Sequence, residues 1–140
     1  MKKLITVILL VLTVVGNAQN FQVNTIIDAV DANPGNGICD DGSGNCPLRA
    51  AIQESNALGG AHTITLPAGT ITLSVAGINE DACATGDLDV TSNITINGVS
   101  PSVTIIDIDS IDRGFHILST GQLTISNTTI KNGNTLKDHG

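Results

Sequence analysis

Aromatic side chains are almost missing from this 140-residue chain: Phe21 and Phe115 stand alone, with no Trp and no Tyr. An interior built around large rings is excluded, and Ile, Val and Leu have to fill it instead. Basic residues are scarce too, six against thirteen acidic ones. Two of the six, Lys2 and Lys3, fall in an N-terminal leader, so the mature chain keeps four basic and thirteen acidic residues, a net charge of −9. A polyanion such as nucleic acid would be repelled by that charge. Solubility, cation binding and neutral or cationic partners suit it better. Long apolar runs are absent outside Leu4–Val15. That run is about a dozen residues, short of the roughly twenty that a spanning helix requires, so no stable membrane span is expected.

The leader has a basic start, an apolar centre and, in Gly16-Asn17-Ala18, small residues ahead of a cut after Ala18. Residues 1–18 read as a cleaved signal peptide and the protein as secreted or displayed at the cell surface. What remains is the size of one domain. Cysteines in such a chain meet an oxidising compartment. Cys39 and Cys46 flank a Gly-, Asp- and Asn-rich loop that can fold back on itself, so they are expected to be bridged. Closing so short a loop contributes somewhat less than the roughly 3 kcal/mol of a fifteen-residue one. Cys83 is left over, as a free thiol, an intermolecular partner or a competitor for one of the other two.

Three segments follow from the patterning. Residues 19–62 read as an N-terminal cap containing a first strand from Phe21, a long acidic loop over 28–45 and one helix over 48–60. Pro47 suits the first helical position, and Gly59-Gly60 terminates the helix. Leu48, Ala51, Ile52 and Leu58 share one face, with Arg49, Gln53 and Glu54 turned away from it. Residues 63–140 have a period of two, in Ile64/Leu66, Ile71/Leu73, Leu88/Val90, Ile94/Ile96, Val103/Ile105 and Leu123/Ile125. The strands starting at 88, 94 and 103 repeat as a triplet at 115, 123 and 129. Three short strands per turn at that period predict an all-β fold, a right-handed parallel β-helix solenoid. Its interior would be stacked aliphatics, and the short helix would cap the first rungs. The last rung ends without a second cap, so the expectation is a chain incomplete at its C-terminus, with the remainder of a longer β-helix as its partner.

The run CDDGSGNCPLRAAI, from Cys39 to Ile52, resembles the Cys-Ser-Leu-Arg-Glu-Ala-Ile motif that names a domain at the N-terminus of exported bacterial β-helix proteins. The likeness extends through Asp28-Ala-Val-Asp-Ala-Asn-Pro-Gly-Asn-Gly before the motif and through Ile64-Thr-Leu-Pro-Ala-Gly-Thr, Asn93-Ile-Thr-Ile-Asn-Gly and Thr129-Ile-Lys-Asn-Gly after it. The resemblance implies a pectin-lyase-like fold and an exported or surface setting, and says little about activity. Leu48, Arg49, Ala51 and Ile52 carry its core. Pro47 and Ala50 depart from the usual Ser and Glu, and Cys83 stands where a small residue is usual.

Chemistry has few candidates. Asp28, Asp31, Asn33, Asp40 and Asp41 in the long loop offer oxygens to calcium, though without EF-hand spacing. Turn hydrogen bonding is the plainer use of such residues. Glu80, Asp81, Asp87 and Asp89 form a second acidic group. Asp107, Asp109, Asp112 and Arg113, with His116 nearby, could serve carboxylate-based polysaccharide cleavage, but they lie in an expected turn. Asn97-Gly98 and Asn132-Gly133 are read as matching turns, Asn bonding its stacked neighbour and Gly supplying positive φ. Arg49 is expected to tie Asp40 or Asp41 to the helix. The reading that follows is an exported, non-catalytic N-terminal capping module, adhesive or carbohydrate-contacting. The alternatives are an N-terminal fragment of a polysaccharide lyase or glycoside hydrolase, and a calcium-stabilised structural module.

Overall fold

The computed structural model describes residues 17–134. Residues 1–16, on which most of the expected signal peptide falls, and the final segment from 135 lie outside the described residues. Nine strands and one helix follow in the order β1 (Asn20–Gln22), α1 (Leu48–Leu58), β2 (Ala61–Thr65), β3 (Gly69–Thr72), β4 (Leu88–Val90), β5 (Asn93–Asn97), β6 (Thr104–Asp107), β7 (Phe115–Ile117), β8 (Gln122–Ser126) and β9 (Thr129–Lys131). Every pairing is parallel. The sheets run β1-β2-β5-β8, β3-β6-β9 and β4-β7.

This arrangement corrects the expected all-β solenoid. The strands form three separate small sheets, and a helix is packed into their common core, which makes a small mixed α/β domain. The repeat is present only as two full triplets, β4–β6 against β7–β9. Ahead of them β2 and β3 have no third strand, because the stretch before β2, where a counterpart of β4 would fall, is helix α1. Two complete layers fall short of the about three repeats that a solenoid needs for stability. The helix supplies the cover that another layer would give.

Aliphatic side chains stack through the parallel register. Phe21 pairs with Ile64, Ile64 with Ile96, and Ile96 with Ile125. Ile71 pairs with Ile106 and Ile106 with Ile130, and Leu88 pairs with Phe115. Neighbouring strands sit about 4.8 Å apart, so same-face residues meet directly, and each fully buried Ile or Leu contributes about 1.5–3 kcal/mol. Leu48, Ala51 and Ile52 of α1 join the same cluster.

Two expectations about phase are corrected. In β6 the buried positions are Thr104 and Ile106, followed by Ile108, while Val103 is exposed. The consecutive Ile105 and Ile106 leave the phase open in the sequence, and a slip of one residue turns every side chain over. Thr104 can face inward because its hydroxyl donates to the Pro67 carbonyl and accepts from the Val99 N–H, both at 3.0 Å. The partner of Thr129 is accordingly Ile105. On α1, Arg49, Gln53 and Glu54 are buried, not turned to solvent, because the loop 28–45 folds over that face. Pro47 is the N-cap, one position earlier than expected, and Gly59 ends the helix at φ +64°, a backbone conformation that favours glycine.

Candidate functional site

The polar face of α1 organises its surroundings. Arg49 has no exposed surface. Its Nε donates to Asp28 Oδ1 at 2.8 Å and its Nη2 to Asp28 Oδ2 at 3.1 Å. The remaining donors reach three backbone carbonyls, of Gly86 at 2.9 Å and of Cys83 and Asp87 at 3.3 Å. Asp28 Oδ2 also accepts the N–H groups of Ser74 and Val75. One guanidinium therefore joins the helix to the start of the long loop and to the 75–87 segment. Burial works most strongly against its charge, but the hydrogen bond and attraction of Asp28 prevail and hold its pKa above the ordinary arginine value.

Arg49 does not engage Asp40 or Asp41, contrary to expectation. Asp40 Oδ1 accepts from Gly42 and Gly44, and Asp41 Oδ1 from the N–H and hydroxyl of Ser43. Those turn bonds keep both carboxylates within their own loop, with Asp41 below the ordinary carboxyl pKa chiefly through the Ser43 hydroxyl. The same loop is clamped from the helix side. Glu54 accepts the N–H groups of Gly35 and Gly37 through its two oxygens, and Gln53 Oε1 accepts that of Asp31. Asp31 in turn accepts from Asn33 and Asp40. The Cys39–Cys46 disulfide is present, with Cα atoms 5.1 Å apart.

The calcium candidates Asp28, Asp31, Asn33, Asp40 and Asp41 are thus distributed among turn and clamp bonds, with Asn33 engaged through its backbone. Asn97 and Asn132 are not stacked counterparts. Asn97 pairs in register with Ser126, whose hydroxyl donates to its Oδ1 at 2.6 Å, and Asn132 Nδ2 donates to Asp107. Gly98 and Gly133 do not supply positive φ, which falls on Asn132 itself. Gly98 is needed for space, since a Cβ there would meet the Asn127 carbonyl oxygen at 2.3 Å. Nor do the Asp107–His116 residues form one site. Asp107 binds Lys131 and Asn132, Asp109 is an exposed residue at positive φ, Asp112 is buried and accepts the Arg113 N–H, and Arg113 pairs with Asp87.

His116 belongs elsewhere. Its Nδ1 lies 3.0 Å from Asp89 Oδ1 and 3.4 Å from Asp81 Oδ1. Among the described residues, Asp81, Asp89 and His116 are a group whose ligand atoms all fall within 4.8 Å of one another, able to hold a metal ion. Asp89 is fully buried and accepts the Cys83 N–H at 2.9 Å through its other oxygen. Burial, foremost, raises its pKa, while the Cys83 N–H opposes the rise. The β4–β7 register places Asp89 directly opposite His116. The 88→115 repeat offset carried that signal, because the same spacing takes 89 to 116. What the spacing could not supply is Asp81, which arrives from the irregular segment before β4. Asp81 also lines an open cleft of about 400 Å³ with Pro34, Gln53, Asn56, Ala82 and Thr91.

Cys83 is buried and unbridged, and burial pushes its thiol pKa up to about 12. Among the described residues no helix is long and apolar enough to cross a membrane, and the disulfide is compatible with an extracellular location. Comparison with protein-family models, with curated proteins and with solved structures found no match in any of the three.

Proposed function

We propose that this chain is an exported, non-catalytic capping module of a surface or secreted protein. The observation that carries the reading is a one-way loss of burial along the sheets. Ile64 and Ile96 are fully buried but their neighbour Ile125 is only half-buried. Ile71 and Ile106 are buried, while Ile130 is 45% exposed. Val90 is buried and its partner Ile117 is 43% exposed.

Helix α1 and the bridged loop close the first end. At the other end β7, β8 and β9 are the outer strands of their sheets. Such edges are templates for further pairing, and here they are lined by uncovered aliphatics. Their fitting occupant is a partner that adds a strand along these edges and covers the aliphatics. The basic-apolar leader, the bridged cysteines and the resemblance of Cys39–Ile52 to the exported motif support the setting. Adhesion or carbohydrate contact would then fall on surfaces beyond the cap. Calcium is not required by this reading, since the carboxylates of the 28–45 loop already accept backbone N–H groups. Lyase or hydrolase chemistry gains no support from Asp107, Asp109 and Asp112, which do not converge.

Sedimentation velocity of the leaderless chain, with binding of a hydrophobic dye, tests the proposal. Concentration-dependent association and dye binding are expected, both reduced by Ile117→Lys combined with Ile130→Lys. A cooperatively folded monomer that binds no dye would overturn it.

A further inference from the structure

Capping makes no use of Asp81, Asp89 and His116, and we propose that these three residues form a binding site for a divalent transition-metal ion of the zinc type. The inference stands independently of the capping proposal. The ligand set comes from three separate pieces of chain: Asp81 from the irregular 75–87 segment, Asp89 from the middle of β4, and His116 from the middle of β7. Side chains at alternate strand positions point to one face. Leu88 and Val90 enter the core, so Asp89 faces the opposite side, where His116 sits beside it.

The spacing suits a small tetrahedral ion. Zinc binds nitrogen and carboxylate oxygen at about 2.0–2.2 Å, so adjacent ligand atoms in a tetrahedron lie roughly 3.3–3.5 Å apart. His116 Nδ1 is 3.4 Å from the Asp81 oxygen, within that range, and 3.0 Å from the Asp89 oxygen, a hydrogen-bonded pair that an ion would part slightly. Ligation through Nδ1 leaves the ring proton on Nε2. Calcium is a poorer fit, since it takes six to eight oxygens at longer range, whereas this group offers two carboxylates and an imidazole, a donor that favours zinc, nickel or copper.

The surroundings are those of a supported site. Asp89 is held in place by the Cys83 N–H on its second oxygen, and such outer bonds fix the orientation of a ligating carboxylate. The Asn56 side chain donates to the Asp89 carbonyl at 2.8 Å and steadies the strand from the helix. Access is open, because the Asp81 side chain is 66% exposed and that of His116 33%. Three protein ligands leave a fourth position for water. The bound ion would join the strandless 75–87 segment to the smallest sheet, β4-β7.

Histidine elsewhere does not compete within the described residues. His62 is buried, with Nδ1 accepting from the Gln19 N–H and Nε2 against the Gly59 carbonyl. His139 lies outside them and serves as the control. Calorimetric titration of the leaderless chain with zinc chloride, and cobalt titration read by visible absorption, provide the test. One ion per chain is expected, with tetrahedral cobalt bands and no heat from calcium chloride at the same concentration. Asp81→Asn, an exposed change that leaves the fold intact, should weaken zinc binding on the order of tenfold or more. His116→Ala should abolish it and His139→Ala should leave it unchanged. Zinc affinity that survives both Asp81→Asn and His116→Ala, equal binding of calcium, or no zinc binding at all would each overturn the proposal.

Discussion

Replacing Arg49 by Ala should be among the most damaging single changes available in this chain. The substitution removes both bonds to Asp28 and the three bonds to the carbonyls of Cys83, Gly86 and Asp87. Asp28 is left buried with only the Ser74 and Val75 N–H groups. Removing one partner of a buried ion pair costs about 3–5 kcal/mol, because the remaining charge has lost its compensation. Against a typical total stability of about 5–15 kcal/mol, that is a large share. With a urea dependence of about 1.5 kcal/mol per molar, the unfolding midpoint should fall by about 2–3 M. The chain has no Trp or Tyr, so far-UV circular dichroism is the appropriate probe. A simple ion pair and a hub differ in a second measurement. If Arg49 served Asp28 alone, Arg49→Met combined with Asp28→Leu would recover most of the loss, as apolar replacements of buried pairs often do. The three carbonyls and the Ser74 and Val75 N–H groups would still be orphaned, so the double variant should stay far below wild type. A midpoint within about 0.5 M of wild type for either variant would refute the reasoning.

Glu54→Gln should loosen the 28–45 loop, because an amide can accept only one of the two N–H groups that the carboxylate now takes from Gly35 and Gly37. A loss of about 1–3 kcal/mol and faster amide exchange at one of these glycines are expected, and unchanged exchange at both would contradict the clamp. Cys83 should resist thiol reagents in the native protein and react fully in denaturant, given its burial and its pKa near 12; rapid labelling of the folded chain would count against that environment. Asp107 is held below the ordinary carboxyl value of 3.8, first by Asn132 and then by Lys131. A depressed folded pKa gives stability that is present above the unfolded value and lost as pH falls through the folded one. Thermal scans should therefore show a steeper loss below about pH 3.8 in wild type than in Asp107→Asn, and parallel curves would dismiss the effect.

Local elements were the most legible in the sequence. Pro47 and Gly59-Gly60 bracket the helix because one removes a donor and the other tolerates positive φ, effects that need no tertiary partner. The pairs Ile64/Leu66, Ile94/Ile96 and Leu88/Val90 announce their buried face by alternation alone. Val103 to Ile106 misled because two adjacent isoleucines satisfy either phase, and the choice falls to a hydroxyl bond between Thr104 and Pro67, 37 positions away. The polar face of α1 misled for a related reason. Arg, Gln and Glu on one helical face signify solvent unless a loop rich in unpaired N–H groups covers them, and periodicity does not register a loop. Of the metal-ligating group, Asp89 and His116 were within reach of the 27-residue offset, and Asp81 was not.

By itself the sequence determined composition-level properties and local geometry. These include an acidic chain with few aromatics, one short helix between proline and glycine, a loop of eight residues closed by cysteines, and brief strands of alternating aliphatics. Each depends on residues close together in the chain. The tertiary structure decided how many layers form, which carboxylate meets Arg49, and which acids gather around His116. Those outcomes depend on which distant groups satisfy buried donors and acceptors. Arg49 meets Asp28 rather than Asp40 or Asp41, whose carboxylates bond within their own turns, because only the closed loop brings Asp28 to the helix from 21 positions away.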